Sequence, residues 1–516
     1  MKKIVTASLV AAMAISSANA MSNSALAAKL SALETELASV KASLKKQNKK
    51  INKVKAHDSQ DNIKWGADLR TSIDNINYDL AGKDANGNDS YGKNDLMAIR
   101  LWLNMAYSPD SHNVFKGQLS MNKAFGADFN SPFGKGGAFT MTNFDWIGNE
   151  ALRGDELHVR QAFWLYLGDK AFGADIPWTF SIGRRPSTNG FLANLSQDDA
   201  AQSPLGHIIN VEFDGLSSKL DLSNVTGVPG MSFKICMGQG STNATPMFQA
   251  NGTQYSNDDN GVQDVKLAGF IFEPYNDGQF IVKTTAFKAF DVPGYVAGQM
   301  NWNNDFNTYM PDPSTMALNN TGDMEGAAIS VLVDGLTDEG FLADTKVFGS
   351  FAWSNSNVGI AHDRYFNGGP YNGMTVPVES MLGTDSDESG TSYWFGTYLP
   401  VLGGTLGLEY NHGSQYWKPF TQAEDTMIGS KMAVRGDAWE VNYTYQLTKA
   451  LSIQARYVAL DYEYTGSNGF YGDGGYAFKI DDLKAAAAAG NTTAQGMLGG
   501  IVDKAQDARL YLRYRF

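Results

Sequence analysis

Cysteine is almost absent. Cys236 stands alone in 516 residues, so no disulfide can form within the chain, and no Cys-x-x-Cys-His run exists to attach a haem. Long hydrophobic runs are also missing. Beyond residue 20 no stretch reaches the roughly 18 apolar residues of a membrane-spanning helix. The six histidines are dispersed, and none form a His-Glu-x-x-His metal pair. No Gly-x-Ser-x-Gly elbow presents a nucleophile. These absences argue against an enzyme, although a Ser–His pair spread over the chain would leave no local signature. Positive charge is scarce: 41 Lys and Arg face 54 Asp and Glu, for a net charge of −13. An acidic chain without basic tracts is a poor nucleic-acid binder. No cofactor is expected. The run Asp84 to Asp89 resembles half of a calcium loop, but Asp89 stands where that loop needs glycine and Asp95 where it needs glutamate. No metal site is expected there.

Aromatic residues and glycine are abundant, at 12% of the chain and 54 residues. Both favour strands, tight turns and close backbones over helices. The first 20 residues are an exception. Lys2 and Lys3, an apolar run from Ile4 to Ile15, and Ala18-Asn19-Ala20 have the order of a secretory signal peptide. A second exception spans residues 21–61. Leu26, Leu30, Leu33, Leu37, Val40, Leu44, Gln47, Ile51 and Val54 fall at alternating spacings of four and three. That is a heptad seam, too narrow to bury itself on one helix. It is expected to join protomers as a periplasmic coiled coil, with a trimer favoured. A helix folding back on its own barrel is the other reading.

From residue 62 onward the period is two. Met97, Ile99, Leu101, Leu103 and Met105 alternate with Ala98, Arg100, Trp102 and Asn104. Leu157, Val159, Phe163, Leu165 and Leu167 are set against His158, Arg160, Trp164 and Tyr166. Trp439, Val441 and Tyr443 alternate with Glu440, Asn442 and Thr444. Successive side chains of a strand point to opposite faces, so one face suits lipid and the other water. The last stretch, Ala508 to Phe516, alternates Leu510, Leu512, Tyr514 and Phe516 with Arg509, Tyr511, Arg513 and Arg515. It resembles the closing strand of bacterial outer-membrane barrels, and the resemblance implies that Tyr514 and Phe516 belong to the barrel-assembly signal; an edge strand of a secreted sandwich is the other reading. Connections alternate long and short: eight long, seven short, hence about sixteen strands. The fold class is an all-β transmembrane antiparallel barrel over residues 62–516, preceded by the coiled-coil helix. An Ala-rich run, Leu483 to Ala489, predicts a short helix in the last long loop.

A sixteen-strand barrel is too wide for its own wall side chains to fill, so an aqueous channel is expected. Strand parity turns Arg70, Arg100, Lys116, Arg160, Arg456, Arg509 and Arg513 inward, against a few acids such as Asp68, Glu409 and Glu440. The third long loop follows Gly183-Arg184-Arg185-Pro186 and carries Asp198 and Asp199. If it folds into the pore, those acids face wall arginines such as Arg160 and make a transverse field. Pore-lining candidates are therefore Arg100, Lys116, Arg160, Arg184, Arg185, Asp198, Asp199, Arg456 and Arg513. His412 and Trp417 belong at a strand end, as a packed loop base or a binding stretch.

Three runs, IGRRPSTNG (Ile182 to Gly190), LPVLGGTLGLEYNHGSQYW (Leu399 to Trp417) and IGSKMAVRGDAWEV (Ile428 to Val441), resemble a family of porin-like outer-membrane proteins of Gram-negative bacteria catalogued as a domain of unknown function. The resemblance implies a barrel in the outer membrane and brings no catalytic residues. The expected function is a passive diffusion channel for small hydrophilic solutes or ions, with an anion preference where the arginines are unopposed. Expected partners are outer-membrane lipid, the barrel-assembly machinery and further copies of the chain, and no nucleic acid. The N-terminal segment is expected in the periplasm and the long loops outside the cell. The rival readings are a sheath around an electron-transfer partner and a surface-display barrel.

Overall fold

The structure, a computed structural model, describes residues 63–126, 157–186, 189–210, 212–241, 264–296, 299–304, 308–311, 317–358, 362–370, 372–373, 375–378, 386–421, 426–466 and 477–516. The signal-like leader and the heptad seam (Leu26, Leu30, Leu33, Leu37, Val40, Leu44 and Ile51) lie outside the described residues.

Sixteen strands close into one antiparallel barrel. They are β1 (Lys64–Leu80), β2 (Ser90–Tyr107), β3 (Asn113–Ala124), β4 (His158–Gly168), β5 (Trp178–Pro186), β6 (Glu212–Asp221), β7 (Ser232–Ser241), β8 (Val265–Asn276), β9 (Phe280–Val296), β10 (Ala317–Asp334), β11 (Lys346–Val358), β12 (Glu388–Val401), β13 (Gly404–Gly413), β14 (Gly436–Gln446), β15 (Leu451–Tyr462) and β16 (Val502–Arg515). Each pairs with its neighbours in sequence, and β16 closes on β1, with Arg70 opposite Arg513. Ala67 and Phe516 exchange two backbone hydrogen bonds at the end of that seam, at 3.0 and 3.1 Å. Closure removes the free edges that an open sheet would expose.

The alternation read from sequence is inverted relative to a soluble protein. Trp394 is fully buried while its neighbour Phe395 is 52% exposed, and Arg509 is 3% exposed while Leu510 is 46% exposed. Apolar side chains therefore cover the outside and most polar ones point in, the pattern a lipid-facing barrel requires. No helix among the described residues is long and apolar enough to cross a membrane. Short turns and long connections alternate around the barrel. The tightest turn is Leu402-Gly403, where both residues take positive φ, 51° and 77°. That geometry matches the twist of a two-residue hairpin. The last long connection carries helices α1 (Ile480–Ala488) and α2 (Thr492–Leu498), where the Ala-rich run predicts one.

One strand departs from the expected alternation. A bulge at Arg160, between Val159 and Gln161, shifts the register of β4. Val159 and Trp164 both end on the outside, and Arg160 and Phe163 both turn inward. The extra residue of a bulge changes the parity of everything after it.

Candidate pore constriction

Two connections turn back into the barrel. The first, residues 189–210 between β5 and β6, carries Phe191, Leu192, Leu205, Ile208 and Ile209, all buried. They pack on inward residues of the wall, including Phe287 of β9, Met324 of β10, Phe348 of β11 and Trp394 of β12. The second, between β13 and β14 and described over residues 414–421 and 426–435, adds Trp417, Phe420 and Met432 to the same core. The two segments bond to each other: the Asn210 N–H donates to the Phe420 carbonyl at 2.5 Å, and the Phe420 N–H to the Ile208 carbonyl at 3.0 Å. Much of the half of the lumen walled by β6–β12 is thus taken up by an apolar core, beside buried polar groups such as Lys234 and the Lys283–Glu273 pair; the sequence did not foreshadow it.

The second segment lies on bare backbone. A Cβ on Gly390 would stand 2.2 Å from the Trp417 nitrogen, and one on Gly413 would stand 2.0 Å from the Val434 carbonyl oxygen. The first segment is latched by His207, fully buried between Trp394 and Trp417. Its ring nitrogens bond Ser350 Oγ at 2.8 Å and Ser392 Oγ at 2.9 Å. Burial lowers the His207 pKa to about 3, so the ring is neutral.

The other half of the lumen, walled by β1–β4 and β14–β16, is charged. Here the tip of the first segment meets the wall. Arg513 donates to Asp68 (Nε to Oδ1, 2.9 Å), to the Gln197 carbonyl (2.6 Å) and to Asp199 Oδ1 (2.7 Å). Arg515 bonds Asp198 at 2.9 Å and Asp199 at 3.3 Å. Arg100 reaches Gln197 Oε1 at 3.4 Å and lies 3.8 Å from Asp68. Further along, Lys431 of the second segment sits between Glu409, at 2.7 Å, and Glu440, which also binds Arg456 at 2.8 Å. Arg509 pairs with Asp74. Beside the tip lies a polar cavity of about 400 Å³, lined by residues of β1–β4, the first segment and Phe516. Trp102 and Arg160 are in its wall, and the guanidiniums of Arg100 and Arg160 lie 3.6 and 4.2 Å from the centroid of the Trp102 ring, within cation–π range.

The family model described as "Protein of unknown function (DUF3373)" matches residues 91–516. The chain belongs to this family. No curated protein matches it. Among solved structures, it is similar to the anion-selective porin from Comamonas acidovorans (11% identity, 88% of this chain and 99% of that one, TM-score 0.42). It is also similar to Salmonella typhi OmpF in complex with daunomycin (10%, 89% and 99%, 0.44) and to Pseudomonas putida OprB at high pH (11%, 90% and 96%, 0.43).

Within this DUF3373 barrel, Arg100, Arg160, Arg456 and Arg513 all point inward and are buried. Their exposures of 2–6% show side chains covered by the wall and its neighbours, with Arg160 also bordering the polar cavity. The wall alone cannot fill sixteen strands, and two of the chain's own connections take up part of the bore. Lys116 has inward parity and stands exposed toward the short-turn end of β3. Arg184 is not in the lumen. It alternates to the outer face and pairs with exposed Asp214 at 3.3 Å, because Gly183 and Arg185 take the inward positions. Arg185 points in but is held against the wall, over the Phe163 ring at 5.1 Å and bonded to Ser217 at 2.6 Å. Asp198 and Asp199 bind Arg513 and Arg515 instead of Arg160, whose Nη1 donates to Gln118 Oε1 at 2.7 Å. Tyr514 and Phe516 are exposed on the outer face and strand end. Trp417 is a packed loop base. The sequence reading missed the inward acids Asp74 and Asp507. Strand parity would have found both. It also missed Lys431, which sits in a loop and has no parity to read. Among the described residues, no group of three His, Cys, Asp or Glu is placed to hold a metal ion.

Proposed function

We propose that the chain is an outer-membrane porin, a narrow passive channel for small hydrophilic solutes. One observation carries this reading: a closed sixteen-strand barrel with an apolar exterior whose polar half-lumen is narrowed by an inserted acidic tip docked on wall arginines. Filtering is steric and electrostatic and involves no covalent step. Inward acids stand among the arginines along that half-lumen, so the anion preference is weak. The heptad seam joins the chains as a trimer from the periplasmic side, and the long loops face outward. A sheath would need a cleared lumen, and two segments occupy this one.

Swelling of proteoliposomes in iso-osmotic solutes tests the reading. Uptake should fall steeply from small polyols to trisaccharides. Folded barrels that admit none of the series would refute the channel and leave surface display as the better account.

A further inference from the structure

The cavity beside the constriction has the chemistry of a binding site. Five carboxamides line it: Asn104, Gln118, Gln161, Asn189 and Gln202. Gln118 is engaged on both sides, donating to Asn104 at 2.7 Å and accepting from Arg160 at 2.7 Å and Gln161 at 3.4 Å, and Asn189 donates to Asp199 at 3.3 Å; the Asn104 NH2, the Gln161 oxygen and the Gln202 carboxamide are left to donate to or accept from a solute. The charged lining is balanced, Arg160 and Arg515 against Asp68 and Asp199. Both acids already accept from arginine, Asp68 from Arg513 and Asp199 from Arg513 and Arg515. A cation would therefore lose its water without gaining an uncommitted carboxylate, and the lining arginines are engaged as well, Arg515 with Asp198 and Asp199 and Arg160 with Gln118 and the Trp102 ring. A second observation points to a ligand. Trp102 lines the cavity, is only 5% exposed, and its indole N–H has no hydrogen-bond partner. Buried donors in folded proteins are paired, so an orphan in a cavity wall calls for an acceptor from elsewhere.

We infer that this cavity binds a neutral, polyhydroxylated solute of mono- or disaccharide size. Hydroxyls both donate and accept, which suits a carboxamide lining, and a hydroxyl oxygen satisfies the Trp102 N–H. The volume of about 400 Å³ lies within the range of roughly 300–1,000 Å³ common to small-molecule sites. The inference gives a substrate class to the channel proposed above and rests on that reading for its role, though binding itself does not require conduction.

The test is equilibrium dialysis of the detergent-solubilised full chain against labelled glucose and sucrose, with gluconate and glucosamine as singly charged analogues. Saturable binding of a neutral sugar, tighter than either analogue, is expected. Trp102→Phe keeps the ring and removes the N–H. It should weaken binding about three- to tenfold, the worth of one hydrogen bond. Gln202→Leu should do the same, and Arg184→Ala, on the outer face, should change nothing. Saturation by gluconate alone or glucosamine alone would overturn the inference in favour of an ion site, and no saturation by any of the four would abolish it. Sugar binding by a barrel that fails the swelling assay would keep the site and remove the channel. Solute uptake without saturable binding would do the reverse.

Discussion

Arg513 ties the inserted tip to the wall, with Asp68, Asp199 and the Gln197 carbonyl all on one guanidinium that is 2% exposed. Removing one partner of a buried pair strands the other charge, at a cost of roughly 3–5 kcal/mol. Arg513→Met should therefore lower the temperature at which the folded band converts to the unfolded one in detergent gels. Asp199→Asn, which leaves Asp68 paired, should lower it less. Equal stability of Arg513→Met and the parent would show that the tip is not pinned there. His207 gives a pH dependence. Its folded pKa lies at about 3 against about 6.5 when unfolded. The unfolded chain thus binds a proton the folded chain refuses, and stability falls as pH drops from about 6.5 toward 3. Unfolding temperatures at pH 7 and pH 4 should differ more for the parent than for His207→Gln. At this scale the sequence placed Arg100, Arg160, Arg456 and Arg513 correctly, because parity fixes a strand residue's face. It grouped Arg184 with Arg185 as pore-lining, although neighbours on a strand face opposite sides, and it could not choose partners for Asp198 and Asp199, because a loop has no period.

The strands were legible as elements because a lipid-facing barrel repeats one rule sixteen times. The bulge in β4 was not legible, since a bulge is one extra residue without a composition of its own. The two inserted segments were half legible. Entry of the third long loop into the pore stood only as a condition in the sequence, and nothing marked residues 414–435 as its companion. Their apolar residues, Trp417, Phe420 and Met432, could equally have packed a loop on itself. Gly390 is where that segment can be tested. Its Cβ would stand 2.2 Å from the backbone of Trp417, and backbone cannot swing aside as a side chain can. Gly390→Val should lift the segment, exposing Trp417. The measurement is a red shift of tryptophan emission and new protease cuts within 414–435, with the barrel intact. Trp417→Ala should cost about 3–5 kcal/mol, as for other large core deletions, read from the same gel transition.

For the molecule as a whole, closure is the property on which the rest depends. The chain's last residue is hydrogen-bonded to Ala67 of the first strand, so deleting Phe516 should cut the yield of folded barrel in the outer-membrane fraction more than Phe516→Tyr does. The most direct test of the account is single-channel recording of the purified full chain in a planar bilayer under a salt gradient. A sixteen-strand bore filled on one side by an apolar core and pinned on the other by Arg513 predicts stable steps of small conductance. It also predicts a reversal potential near zero, and larger steps once residues 190–209 are removed. Large steps from the intact chain would contradict the filled lumen. No steps from folded barrels, with or without that segment, would contradict the channel itself.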